Sequence, residues 1–266
     1  MHFLRAGRGV GEGEAVSSNP NSMLYWWPRV EELSIPMPKT ILIPCRDPRG
    51  IIKALDGGKN KTFDALRREV QRRAPEIGFP LFLRSDRVSN KHEWKKSCYV
   101  ESIEQIPARI FKLLDFSLAV DVSFEGVAIR KFLDLDARFT AFWGEMPIAV
   151  ERRLFVNGTR VVCEHPYWPP ESIERPVLPE DEFDLHPDRP PELWEKILDE
   201  MQKIGLKELK KLKEYARRLG VAMGKGYWSF DFCRGKNGTW YFTDMAVGEE
   251  SFHWPGCKKA RGGQDG

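Results

Sequence analysis

The chain has 266 residues, with 42 Lys and Arg against 39 Asp and Glu, a formal net charge of +3. Hydrophobic residues make up 41% and charged residues 30%, which excludes a disordered or collagen-like chain and is enough for a core needing no disulfide or metal staple. So small a positive charge permits an anionic ligand but argues against a nucleic-acid coat, and no 18-residue apolar run exists to cross a membrane. The five cysteines (45, 98, 163, 233 and 257) are scattered and lack a CxxC pair. Their spacing reads as reduced thiols of a cytoplasmic protein, with neither a disulfide frame nor a zinc site.

In chain order, residues 1–22 are rich in Gly, Ser and Asn and read as a disordered extension. Residues 23–78 form an N-terminal α/β segment. It holds the apolar Leu24–Trp27, a strand at Thr40–Pro44 and a helix over Thr62–Arg73, with Thr62 as candidate cap and Pro75 and Gly78 beyond its end. Residues 79–133 begin with a buried strand, Phe79–Arg84, followed by polar irregular chain to Lys96. A helix starts at Ser102, with Ile103, Ile106, Ile110, Leu113 and Leu114 on one face. Leu118–Val122 and Val127–Leu133 read as strands.

Residues 134–257 contain a hairpin around Asn157-Gly158, an acidic Pro-rich loop over 169–191 and a helical stretch from 191 to 219. That stretch carries Gly205 as a candidate break and Gly220 as its close. A last hairpin, Trp228–Ala246, turns around Asn237-Gly238, and residues 258–266 form a tail. Alternating strands and helices with late hairpins define an α+β protein with mostly antiparallel sheets.

The last hairpin carries the most informative pair. If Asn237 and Gly238 are a two-residue turn, Lys236 pairs with Thr239 and Asp231 lies directly opposite Asp244. Opposed residues have Cβ atoms roughly 5 Å apart on one face, so two carboxylates there repel, among Phe230, Phe232, Phe242 and Met245. A divalent cation relieves this, and oxygen ligands without His or Cys favour Mg²⁺. The alternatives are an aspartate at a strand end in water, or one paired with a cation such as Arg234. Upstream, Arg84, Arg87 and Lys91 are three cations within eight residues, able to hold a polyphosphate or to form an ordinary solvated loop. Alternation along Glu151–Val156 puts Glu151, Arg153 and Phe155 on one face and Arg152 on the other. Arg153 then needs an anionic partner, either a ligand or Glu151 or Glu164. His165 and His253 lack metal-ligand spacing and read as structural. The basic run Lys207–Arg218 reads as a solvated helix face, so nucleic acid is not an expected partner.

In order, the FPLFLR strand, VAIRKFL, the ERRLFVNG hairpin and SFDFC…NGTWYFTDMA resemble the ATP-grasp superfamily. Within it they resemble the cell-division-cycle-123-like branch and stand-alone phage and bacterial relatives, over roughly residues 79–257. The resemblance implies an ATP-grasp fold, two α+β subdomains holding ATP between them. It implies that Arg84, with Lys91, Arg130 and Arg153, meets the phosphates, and that Arg84 and Arg153 serve catalysis. The backbone of Lys131, Phe132 and Leu133 would meet the adenine, and Asp231 and Asp244 would hold Mg²⁺. Many members have Asn two residues after the second acid, where this chain has Ala246, so a third ligand is expected elsewhere, with Glu249 the candidate. The implied function is an ATP-dependent carboxylate–amine ligase working through an acyl phosphate on a peptide or protein. The alternative is an ATP-binding assembly factor that grips a protein partner without ligase turnover, for which the acidic 171–191 loop is a candidate surface.

Overall fold

The computed structural model describes residues 17–142, 146–174, 176 and 192–258. Of the expected 1–22 extension, residues 1–16 lie outside the described residues, as do most of the acidic loop (Glu180, Asp181 and Glu182 included) and the tail from 259. Residues 17–22 are described and packed, with Ser17 and Ser22 buried and Val247 N donating to Asn21 Oδ1 at 2.7 Å.

The apolar segment at the start is a helix, α1 (Met23–Val30), whose spacing buries Met23, Trp26, Trp27 and Val30 on one side. Ser22 caps it, accepting from Leu24 N at 3.2 Å and donating its own proton to Asp86 Oδ2 at 2.6 Å. Strand β1 (Thr40–Pro44) has the expected bounds. Helix α2 (Lys61–Arg73) is capped two residues earlier than expected, because Asn60 Oδ1, and not Thr62, accepts from Phe63 N at 3.0 Å. Strand β2 (Leu81–Ser85) is followed by a short helix α3 (Trp94–Ser97) and a two-residue strand β3 (Tyr99–Val100). Helix α4 (Ile106–Ala119) buries Ile106, Ile110, Leu113 and Leu114. The expected strand at Leu118–Val122 does not form. The helix runs into it, and the chain turns there with Asp121 at φ 53°.

Strand β4 (Gly126–Lys131) is flanked by β1 and β2, both antiparallel, in a sheet of order β1-β4-β2-β3. Residues from the 23–78 segment therefore complete this sheet, and α2 and α4 cover it through a core that includes Val70, Leu81, Leu83, Ile110 and Ile129.

Asp86 joins the start of α1 to β4. It is fully buried, and its Oδ1 accepts from Glu125 N at 2.9 Å and Gly126 N at 3.2 Å. Burial raises its pKa against the pull of these bonds and of Ser22. A carboxyl raised in the folded state takes up its proton there before the unfolded chain does. This group's contribution to stability therefore grows as pH falls from neutral through the folded pKa. Asp86→Ala leaves two buried N–H groups without an acceptor and is expected to cost about 2–4 kcal/mol. Asp86→Asn keeps an acceptor, holds stability near wild type at neutral pH and loses the acid-side gain. Urea unfolding of the three proteins between pH 5 and 7 checks both.

A small sheet of β5 (Ala137–Ala141) and β6 (Met146–Ala149) leads into the second large sheet. That sheet has the order β10-β9-β7-β8, all antiparallel, from β7 (Glu151–Asn157), β8 (Arg160–Pro166), β9 (Tyr227–Arg234) and β10 (Trp240–Val247). The helical stretch is broken as expected into α5 (Glu192–Gln202) and α6 (Leu206–Met223), with Gly205 between them. Phe230, Phe232 and Phe242 are fully buried in a core shared with Trp26 of α1 and Leu212, Ala216 and Leu219 of α6. Each such ring contributes roughly 1.5–3 kcal/mol.

Gly220 does not close α6. The helix continues to Met223, and Gly220 lies inside it where a Cβ would stand 2.3 Å from the Gly158 carbonyl oxygen and 3.0 Å from Val156 Cγ1. Glycine is there so that the helix can touch the β7–β8 turn. Gly220→Ala gains about 1 kcal/mol of helix propensity. It is still expected to destabilise by about 1–3 kcal/mol through overpacking, seen as a lower Tm; a raised Tm would contradict the contact.

Candidate active site

The aspartate pair forms by a different route from the one expected. The last hairpin closes with Gly235 N donating to Thr239 O at 2.8 Å, so its loop is Lys236-Asn237-Gly238, with Gly238 at φ 76°. Three residues in the loop shift the register by one, to Trp240↔Arg234 and Phe242↔Phe232. A bulge between Phe242 and Asp244 then shifts it back, and Asp244 faces Asp231.

Both carboxylates face a cavity of about 360 Å³ between the two large sheets. The first sheet and its loops contribute Phe82, Arg84, Lys91, Trp94 and Arg130, then the connecting residues Lys131, Phe132 and Leu133. The second contributes Glu151, Asp231, Cys233 and Asp244, with Tyr167. The volume lies in the range that holds small-molecule ligands. Of the residues expected to bind nucleotide or metal, Arg87, Arg153 and Glu249 are not in its lining. Glu249 is exposed in a 3₁₀ turn, Gly248–Glu250, beyond β10. Arg153 stands beside the cavity, bound to one of its acids.

Arginines neutralise both aspartates. Arg84 Nη1 donates to Asp244 Oδ2 at 2.7 Å, and its other donors reach the carbonyls of Arg87 (3.1 Å) and Ser85 (3.2 Å). Arg153 clamps Asp231 with two bonds of 2.8 Å and lies over the Tyr167 ring at 4.7 Å. Burial opposes the charge on Arg153, but Asp231 outweighs it and holds the guanidinium protonated. Arg152, on the opposite face as alternation requires, pairs instead with Glu164 at 3.1 Å.

Glu151 was not anticipated as a site acid. It projects from β7 on the face of Arg153, its pKa raised by burial and by Asp231 and lowered by Lys91, and it accepts from Trp168 Nε1 at 3.3 Å. Alternation placed it on the right face; only the sheet order showed that this face is the cavity wall. Burial works against the charge on Lys91, which Tyr167 and Glu151 restore; Lys91 Nζ lies 2.9 Å from the Tyr167 hydroxyl.

Arg130 is the cation least provided for. Burial and the neighbouring Arg84 draw its pKa down to about 9. Nη1 donates to Thr243 O at 2.6 Å and Nε to Thr40 Oγ1 at 3.2 Å, while Nη2 is buried without an acceptor among the described residues. A buried guanidinium nitrogen left unpaired is costly, and an anionic ligand in the cavity would relieve it.

Aromatic and apolar residues also line the cavity. Phe132 stacks on Trp94 (5.7 Å, 11° between planes) and meets Tyr99 edge-on at 5.0 Å. The connecting residues are held to the last hairpin, where Lys236 N donates to Asp134 O at 3.0 Å and Asp136 N to Arg234 O at 2.8 Å. Lys131 N already donates to Lys39 O at 2.8 Å, so of the three residues expected to meet the adenine through their backbone its N–H is committed.

A cavity that combines aromatic and apolar lining with interleaved cations and carboxylates is suited to a nucleotide's base and phosphates. A family model for the ATP-grasp domain, R-two-K clade family 3, matches residues 73–258, and the chain belongs to that family. The fold is the ATP-grasp fold. Among solved structures the chain is similar to Cdc123 from Schizosaccharomyces pombe (TM-score 0.49, 13% identity, covering 85% of this chain and 82% of that one). It is also similar to N5-carboxyaminoimidazole synthase from Aspergillus clavatus in complex with ADP and 5-aminoimidazole ribonucleotide (0.48, 12%, 86% and 44%). A third is the ATP-grasp ligase PsnB complexed with precursor peptide PsnA2 and AMPPNP (0.41, 13%, 87% and 50%). The chain thus spans about half the length of the first ligases it matches. No curated protein matches it. Among the described residues no helix is long and apolar enough to cross a membrane.

Proposed function

We propose that the chain binds ATP with Mg²⁺ in this cavity and acts as an ATP-dependent carboxylate–amine ligase on a peptide or protein. The supporting observation is the single cavity that sets Arg84, Lys91 and Arg130 against Glu151, Asp231 and Asp244, with Arg130 Nη2 lacking an acceptor among the described residues. In this reading residues 79–133, completed by 23–78, and residues 134–257 are the two halves that hold the nucleotide. The adenine enters beside Trp94 and Phe132, meeting backbone at Phe132 and Leu133.

The donor set suits Mg²⁺: hard carboxylate oxygens, two of them on directly opposed residues. Asp231 and Asp244 would hold the ion, with Glu151 in place of Glu249 as the third acid. When bound, it would offset the negative charge that develops on the transferred phosphoryl group. The two arginines then exchange partners. Arg84 leaves Asp244 for a phosphate, and Arg153, released by Asp231, meets the terminal phosphate or the acyl group. With Lys91 and Arg130 they hold the phosphoryl group in line with the acceptor, which is most of what this chemistry asks of a protein. The acceptor carboxylate attacks the γ-phosphorus as the bond to ADP breaks. An amine then displaces phosphate from the acyl carbon and gives up a proton.

The test is ADP release across a panel of carboxylate acceptors with amines. Acceptor-dependent ADP supports the ligase. A second reading, an ATP-binding assembly factor that grips a partner without turnover, draws on the arginines that already neutralise both aspartates. ATP binding with no ADP from any acceptor, and one stoichiometric partner retained, would establish it instead.

A further inference from the structure

The fold gathers four residues that their spacing kept apart. Cys163 and His165 lie two apart on β8, so they share a face. His253 and Cys257 come from the segment after β10. The side-chain donor atoms of all four lie within 4.8 Å of one another. The cysteines are free, as their spacing suggests, but these two and the two histidines are neighbours in space.

We propose that Cys163, His165, His253 and Cys257 form a structural zinc site that staples the chain after β10 to strand β8. Two thiolates and two imidazoles are the donor set of closed tetrahedral zinc sites, and they are too soft for Mg²⁺. Ligand atoms around zinc stand about 3.3–3.8 Å apart, so the cluster closes by about 1 Å when filled. The two thiols release their protons to solvent as they bind.

Three further observations point the same way. His165 Nε2 is buried with no hydrogen-bond partner among the described residues, a cost that a metal bond removes. His253 is already oriented: its ring stacks on Phe155 at 3.6 Å, Nδ1 faces Cys163 Sγ at 3.7 Å, and Nε2 pairs with the Tyr227 hydroxyl at 2.8 Å. An outer partner on the second ring nitrogen is how metal-bound histidines are usually held. The segment also bends back to present its cysteine. Trp254 Nε1 donates to Pro166 O at 2.8 Å, Cys257 N donates to Trp254 O at 3.1 Å, and Gly256 between them has φ 76°.

The position bears on the cavity. His165 is the register partner of Arg153 across β7 and β8, so the metal would brace the strand next to the arginine that clamps Asp231.

The test uses the full chain made without a polyhistidine tag, dialysed and assayed for metal. About one zinc per chain is expected, falling at least about tenfold in Cys257→Ser and staying full in Cys45→Ser. Cobalt in place of zinc should give the visible bands of a tetrahedral thiolate site, absent from Cys257→Ser. A chelator should lower the Tm of wild type and leave that of Cys257→Ser unchanged. Cys257 is half-exposed outside the core, so its replacement spares the fold even where Cys163→Ser does not. Three results would overturn the site: no zinc retained or taken up on titration, full zinc in Cys257→Ser, or a mass lower by two hydrogens with both thiols unreactive, which marks a Cys163–Cys257 disulfide.

Discussion

Asp244→Asn is expected to lower acceptor-dependent ADP formation by about 10²-fold or more, with the fold intact. Asp244 directly faces Asp231 and carries Arg84 at 2.7 Å, so it is both half of the opposed acid pair and the group that holds the arginine proposed to meet a phosphate. The amide keeps the volume and can still accept from Met245 N, which donates to Asp244 Oδ1 at 3.0 Å. Two effects then separate. Binding of ATP with Mg²⁺ weakens, because one hard anionic oxygen is gone. Binding of ATP without metal holds or strengthens, because a carboxylate that repels phosphate is gone and Arg84 is released. Calorimetric titrations with and without Mg²⁺, beside steady-state rates, read both. Unchanged turnover at limiting Mg²⁺ would remove Asp244 from the site.

Arg153→Ala is expected to cost about 3–5 kcal/mol of stability, the largest structural effect of any single change at the cavity. The loss comes less from the missing bonds than from what remains. Asp231 is 7% exposed, and its two bonds of 2.8 Å come from Arg153 alone. Without them a charge is stranded between the sheets. Asp231→Asn in the same chain should recover part of the loss, and a double-mutant cycle by urea unfolding gives the coupling directly. A cost within about 1 kcal/mol of zero would mean that solvent screens the pair as it does on a surface. Added Mg²⁺ and ATP should shrink the cost, since the proposed partner exchange already takes Arg153 from Asp231.

The two hairpins show how far local signals reach. Each Asn-Gly pair marks where the chain reverses, but neither sets the register. In the first, Asn157 still pairs with Arg160, so the two-residue turn is Gly158-Thr159. In the second, a three-residue loop and the bulge before Asp244 cancel. The expected opposition of Asp231 and Asp244 therefore holds, though the count behind it did not. A bulge leaves no reliable mark in composition, because it answers to the twist of the sheet and to what the extra residue can bond. Here the Thr243 carbonyl accepts from Arg130, which belongs to the other sheet.

Alternation and helical spacing were enough by themselves to place β1, β2, β4, the hairpins and most of α2, α4 and α6, because those patterns report on neighbours two to four residues away. They also put Glu151 and Arg153 on one face and Arg152 on the other. They failed at Leu118–Val122, where β-branched residues followed a helix whose end the packing set. Only the tertiary structure decided which charges meet. Arg84 reaches an acid 160 residues on, and Arg153 one 78 residues on. Glu151 becomes a wall of the cavity while Glu249 is left in solvent, and Cys163 and His165 meet His253 and Cys257. The reason is physical: periodicity is a property of one element, whereas the partner of a buried charge or a soft ligand is chosen by the order in which separate strands and segments stack.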